Sequence, residues 1–344
     1  MFGKLLLACL VLTFSLTFPH YGDGGEKVCF SLLSFLILFS TLYSPKRHIK
    51  FYLPFAFVAL LTWQGAQTTE IYVRFSYVNL LLAVVALYQV SNRINMSVER
   101  FGAFLFFLVS VNTLLLLGQE LKLTDYLVTS VYPSPHGFLL FPWASGVFAV
   151  LSIPFLWAYK KRSVLVLLPM IFFSHSMICM AAACVAMMFL LWESKYLRPA
   201  ILGVLVFAGV FIKFSDRHID EHRFKIWSKA LAYSKDLKLG NGLGTWAHKG
   251  FRRDIGNDLK TWWRWAHNEF YQVLFETGIA GLVVMLGYFW HLFSVQDRRL
   301  KCFIGLVGLM AFFHPIFHAG KLAIFLIIAL AIVEHKKHTQ TRLA

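Results

Sequence analysis

The apolar positions of this chain fall in long unbroken runs, not in the alternating pattern of half-buried strands or the three-and-four spacing of surface helices. A helix needs about 20 mostly apolar residues to cross the hydrocarbon core of a bilayer. Read that way, the sequence predicts twelve helical segments, near 3–19, 28–43, 51–65, 71–90, 101–118, 138–158, 163–174, 176–192, 199–214, 268–293, 301–316 and 319–333. Most connections between them are short, and no internal repeat or low-complexity stretch interrupts the series. The expected fold is all-α: a polytopic integral membrane protein of about twelve transmembrane helices with one long loop domain. Its organisation is helices one to nine over 1–214, a large basic loop over 215–266, and helices ten to twelve with a polar tail over 267–344.

Composition sharpens this reading. With 58% hydrophobic and 15% charged residues and a mean hydropathy of +0.64, the chain is too apolar for a soluble domain. A net charge of +16 would point a soluble protein toward nucleic acid, but much of this charge follows the rule that short cytoplasmic loops collect Lys and Arg. Lys46, Arg47 and Lys50, then Arg93 and Arg100, Lys160 to Arg162, Lys195 and Arg198, and Arg298, Arg299 and Lys301 fall in every second connection. Those connections are expected to be cytoplasmic, with both termini on the same side, and no nucleic acid is expected as a partner. The run after Lys4 reads as the first span, since no A-x-A cleavage pattern follows it. All five cysteines lie in or beside apolar segments, where they act as small hydrophobes.

Two outer connections stand out. One, from about Gly118 to Gly137, carries Lys122 and a Pro133-Ser134-Pro135 turn signal. The other, 215–266, has Lys and Arg outnumbering Asp and Glu on the side where the positive-inside rule asks for no such excess, which points to an anionic partner. It also carries Trp227, Trp246, Trp262, Trp263 and Trp265. Tryptophan anchors to lipid headgroups and also stacks on sugar rings, and the sequence leaves both roles open. Within this loop, Phe224, Trp227 and Leu231 share a helical face, and Gly240-Asn241-Gly242-Leu243-Gly244 ends the predicted helix in a glycine-rich turn.

Where this loop re-enters the hydrophobic phase stands His267-Asn268, followed by Glu276, Gly278 and Gly281. The pattern H-N-x-x-x-x-x-x-x-E-x-G-x-x-G, with Arg223-x-x-x-Trp227 and Gly240-x-Gly242-x-Gly244 ahead of it, resembles the bacterial O-antigen ligase and polymerase superfamily. The matching elements cover about 60 residues, roughly a sixth of the chain. The resemblance implies a GT-C-like glycosyltransferase of the bacterial inner membrane with its active site facing the periplasm. It would move a sugar chain from an undecaprenyl-pyrophosphate-linked glycan to an acceptor hydroxyl, without cofactor, nucleotide or metal. Membrane lipid and, for a ligase, lipid A-core would be its partners in lipopolysaccharide biosynthesis.

Such a transfer needs a base for the acceptor hydroxyl and positive charge for the departing pyrophosphate. Histidine, with an ordinary pKa near 6.5, can take the proton, and His267 matches the family position, although a lone histidine here would more often anchor the helix. Arg223 matches the family position for the pyrophosphate, its guanidinium offering a planar fork to phosphate oxygens. Arg252, Arg253 and Arg264 compete for that work. Asn268 is expected to orient substrate or hold His267, Glu276 to be buried and functional, and Gly278 and Gly281 to permit close helix packing. Many family members carry a further arginine in a Ser-Arg-Gly-like motif before the long loop. The counterpart here, Ser174-His175-Ser176-Met177, has methionine in its place, so His175 or Arg74 would have to supply that charge.

Other readings stay in view. His218 and His222 stand four apart, a spacing compatible with a metal, but no third ligand is evident; His314 and His318 repeat the spacing beside Lys321 and would face the same cavity as His267 or sit at the interface. An O-antigen polymerase would share the donor chemistry and differ in acceptor; the single basic residue of the 118–137 loop favours the ligase. A transporter or flippase of lipid-linked sugars would share the helix count, and should show charged residues deep within its helices or related halves.

Overall fold

The structure, a computed structural model, describes residues 96–123, 139, 142–192, 227–228, 238, 240–242, 245–247, 266–295, 297–317 and 320–343. The expected spans before residue 96, the one at 199–214 and most of the 215–266 loop lie outside the described residues. Those residues fold into helices and turns with no strand among them. The helices are α1 (Val98–Glu120), α2 (Pro142–Tyr159), α3 (Leu168–Phe173), α4 (Met177–Leu191), α5 (Glu269–Phe293), α6 (Arg298–Phe313) and α7 (Gly320–Leu343). Three of them, α1, α2 and α5, are long and apolar enough to cross a membrane.

Local sequence sets the helix starts. Ser97 caps α1 by accepting a hydrogen bond from the Arg100 amide at 3.2 Å, and Ser176 does the same for α4 from Cys179 at 3.3 Å. Asp297 caps α6, accepting from the Arg299 amide at 2.9 Å. Its carboxylate also takes the Arg299 guanidinium at 2.7 Å, which in turn reaches Glu99 at the start of α1 at 3.2 Å. Burial pushes the Asp297 carboxyl up, but the hydrogen bonds and charge of Arg299 and the amides of Arg299 and Leu300 outweigh it and hold the pKa below the usual carboxylate value. Asp297→Ala is expected to cost about 1 kcal/mol, as loss of an N-cap does. In detergent melts that deficit should be fully present above the unfolded carboxyl pKa, near 4, and should shrink as the pH falls through the lower folded value.

Two helices form the middle of the packed bundle. In α2 every residue from Ala144 to Leu156 is buried, and in α7 every residue from Leu322 to Val333 is. A helix apolar all round belongs inside a bundle, surrounded by others. Aromatic rings knit the layers together: Phe155 meets Phe101 of α1 and Phe303 of α6 edge-on, each at 4.9 Å, and Phe325 of α7 meets Phe148 of α2 at 5.0 Å. Gly102 lets α1 approach α2 so closely that a Cβ there would lie 2.1 Å from the Phe155 carbonyl oxygen.

Several segments differ from expectation: α4 and α6, expected as spans, have 15 and 16 residues and are not among the helices long and apolar enough to cross a membrane. The stretch expected to span at 163–174 is a 3-10 segment, Lys161–Leu167, followed by the six residues of α3. At about 2.0 and 1.5 Å per residue the two together rise about 23 Å, short of a roughly 30 Å hydrocarbon core. The last helix continues to Leu343, past the apolar run that ends at Val333. Just beyond that run Glu334 lies 3.3 Å from Nε2 of His291 in α5, and the Lys337 ammonium reaches the same ring's Nδ1 at 2.7 Å. Burial lowers the Lys337 pKa, against the attraction of Glu334. This cluster joins the far end of α5 to α7.

Candidate active site

The His267 turn begins α5. Asn268 is its N-cap, with Oδ1 accepting from the Tyr271 amide at 2.9 Å. His267 has φ of +54°, a left-handed conformation that histidine adopts more readily than most residues but that still costs free energy. It persists because both neighbours are held. The Ala266 amide donates to Gln272 Oε1 at 3.1 Å, and the Ala266 carbonyl accepts from the Trp227 indole Nε1–H at 2.7 Å. Strain that the surroundings impose at a single residue is a recurrent mark of functional sites. His267 itself is partly exposed, so a water-borne hydroxyl could approach it.

A ladder of polar side chains runs from this turn into the apolar helix. Asn268, Glu269, Gln272 and Glu276 are all buried, at three- and four-residue spacings that put them along one side of α5. Glu269 Oε1 accepts from the Phe317 amide at 2.8 Å and so ties the helix start to the α6–α7 connection. In that connection His314 is buried, with its ring stacked on Trp143 at 5.3 Å. Gln272 Nε2 donates to Glu276 Oε1 at 3.2 Å, and the same oxygen receives the Trp246 amide at 3.4 Å. Glu276 is thus a buried carboxylate that ties the loop to α5. Replacement by glutamine, which keeps an acceptor oxygen, should leave thermal stability close to wild type. Glu276→Leu strands buried donors and is expected to cost about 1–3 kcal/mol in detergent melts.

Glycines account for the third feature. Gly278, expected to ease helix packing, instead breaks α5 with φ 69° and ψ −170°, a conformation almost confined to glycine. The break frees two carbonyls, and the long loop fills the gap. Asn241 donates through both its amide and Nδ2 to the Phe275 carbonyl at 3.0 Å, and the Gly242 amide donates to the Glu276 carbonyl at 2.8 Å. Backbone lies directly on backbone: a Cβ on Gly240 would be 2.5 Å from Glu276 O, and one on Gly278 would be 2.4 Å from Lys238 O. Gly278 is nine residues into α5, about 14 Å along its axis. Irregular backbone at membrane depth is tolerated only where protein or a polar cavity surrounds it.

No protein-family model and no curated protein matches the chain.

Of the residues the sequence singles out, His267 and Asn268 form the turn that begins α5, with Trp227 of the loop bonded beside it, and Glu276 lies about two turns further along the helix, where it meets Trp246. Arg223, Arg252, Arg253, Arg264 and Arg74 lie outside the described residues, as do His218, His222 and His318. His175, also at a positive φ of 50°, is exposed in the turn between α3 and α4. That turn packs on α2, where Gly146 leaves room for Ser174: a Cβ at Gly146 would be 2.5 Å from the Ser174 Cβ. Trp246 is fully buried against Tyr271 and Phe275, at ring distances of 5.9 and 5.3 Å, so it is neither an interfacial anchor nor an open sugar platform. Glu269, Gln272 and Tyr271 carry hydrogen bonds that build the turn, and motif reading assigns them no role. Their signal in the sequence is the polar spacing at 268, 269, 272 and 276 inside an otherwise apolar run.

Proposed function

We propose that this protein is a metal-independent glycosyltransferase of the bacterial inner membrane that acts as an O-antigen ligase. It transfers a polysaccharide from undecaprenyl pyrophosphate to a hydroxyl of lipid A-core. The observation that carries the reading is the clamped, left-handed His267 turn at the head of a broken apolar helix, into which a basic loop docks its backbone. In this account His267 takes the proton of the acceptor hydroxyl as its oxygen attacks the anomeric carbon. The bond from that carbon to the pyrophosphate oxygen breaks, and undecaprenyl pyrophosphate leaves against the positive charge of Arg223. The pairing of His267 with Arg223 rests on the resemblance of the motifs.

A transporter of lipid-linked sugars is the other reading that a broken helix with buried carboxylates favours. Against it, the carbonyls at the break already accept from Asn241 and Gly242, as a fixed scaffold requires.

The test is lipopolysaccharide profiling of a strain lacking this protein, complemented with wild type or His267→Ala at matched membrane levels. A ligase predicts that loss leaves lipid A-core without polymer while long chains accumulate on undecaprenyl pyrophosphate. Lipid A carrying one repeat unit and no ladder would instead identify a polymerase. Full complementation by His267→Ala would remove His267 from the mechanism.

A further inference from the structure

Two hydrogen bonds and a ring stack join Trp227 of the long loop to the first turn of α5. The indole Nε1–H donates to the Ala266 carbonyl at 2.7 Å, and the Tyr271 hydroxyl donates back to the Trp227 carbonyl. The two rings stack at 5.8 Å and 22°, so Tyr271 covers one face of the indole. Trp246 closes on Tyr271 from the edge at 5.9 Å and 90°. These contacts bridge 39 and 44 residues of chain. They attach both the side chain and the backbone of Trp227 to the residues immediately around His267.

From this geometry we infer that Trp227 and Tyr271 are a positioning pair that holds the basic segment of the loop against the His267 turn. The inference rests on the proposed transfer reaction, and it gives one of the loop tryptophans a role other than headgroup anchoring or sugar stacking. Chain connectivity supplies the consequence. Arg223 precedes Trp227 by four residues, so its Cα lies within about 14 Å of the Trp227 Cα even for fully extended chain. Fixing Trp227 to the neighbour of His267 therefore limits how far the Arg223 Cα can lie from that turn. Loosening the pair widens that separation and should impair turnover more than donor affinity, because orientation is lost while the charges remain.

The experiment uses the purified full chain and two conservative variants, Tyr271→Phe and Trp227→Phe, with their double. Each keeps an aromatic ring and removes one donor. Amide hydrogen exchange at residues 227–228 and 266–268 is measured beside glycan transfer from undecaprenyl-pyrophosphate-linked polymer. Exchange in α2 and α7 reports that the fold is intact. Either single variant is expected to speed exchange in both segments together and to lower kcat on the order of tenfold with little change in donor KM. The double should be little worse than the more severe single, since both break one unit. Exchange confined to one segment, or single effects that multiply in the double, would overturn the inference. Coupled exchange in a wild-type protein that transfers no glycan would instead overturn the proposed function and leave the clamp standing.

Discussion

Gly278→Ala is expected to abolish glycan transfer while leaving the apolar bundle folded. Two penalties combine at this residue. The backbone sits at φ 69° and ψ −170°, where a Cβ costs on the order of 1–3 kcal/mol. The new carbon would also fall 2.4 Å from Lys238 O and 2.7 Å from the Gly240 amide nitrogen, and neither is the end of a flexible side chain. The loop must then leave the break, and the hydrogen bonds from Asn241 and Gly242 to Phe275 and Glu276 go with it. A loss of at least a hundredfold in transfer, with membrane abundance near wild type, is the result expected, since a misplacement of about an ångström costs on the order of 100-fold even when the substitution is far from the chemistry. Gly240→Ala meets the same contact from the other side and should behave alike. Gly287→Ala is the control: it lies in the same helix, its added Cβ would meet nothing within 4 Å, and it should be neutral. Transfer assays on membranes with immunoblotted protein levels check all three; an active Gly278→Ala would show that loop docking does not matter to the reaction.

The second large effect belongs to His267. Loss of a general base lowers turnover by about 10²–10⁴-fold, and His267→Ala should show that fall in kcat with donor KM nearly unchanged. Alanine alone leaves an ambiguity, because it also bears a left-handed φ poorly. His267→Gly removes it. Glycine accepts φ of +54° without strain, so this variant should match or exceed wild type in thermal midpoint and yet lose as much activity as alanine. Activity retained in His267→Gly would reduce the residue to a turn former; stability and activity falling together would make its role structural.

The sequence makes much of this legible, and for definable reasons. Long apolar runs mark α1, α2 and α5 because their period and length depend only on local composition. Ser97, Ser176, Asn268 and Asp297 cap their helices through contacts over two or three residues, a role that the motif and the hydropathy pattern do not assign them. Asn268 thereby acquires a second use beside the substrate-orienting one the motif implies. The departure at 161–173 arises where an apolar run meets Pro169 and winds partly as 3-10 helix, a distinction that hydropathy does not carry.

At the site, the histidine, the amide and the glycines stand out as a spaced motif, but what the glycines do is tertiary. Gly278 reads equally well as a packing residue until the Gly240 backbone is seen against it. Glu269 and Gln272 sit inside an apolar run, where polar side chains are expensive and call for partners. Only the fold reveals that those partners are the amides of Phe317 and Ala266.

The central claim is tested most directly by reconstituting the purified protein in proteoliposomes with undecaprenyl-pyrophosphate-linked polysaccharide and lipid A-core, with no nucleotide and with divalent metal chelated. The account predicts polysaccharide appearing on lipid A-core in proportion to the undecaprenyl pyrophosphate released, and none with His267→Gly. Lipid-linked donor crossing the bilayer without covalent transfer, or transfer that persists in His267→Gly, would contradict it.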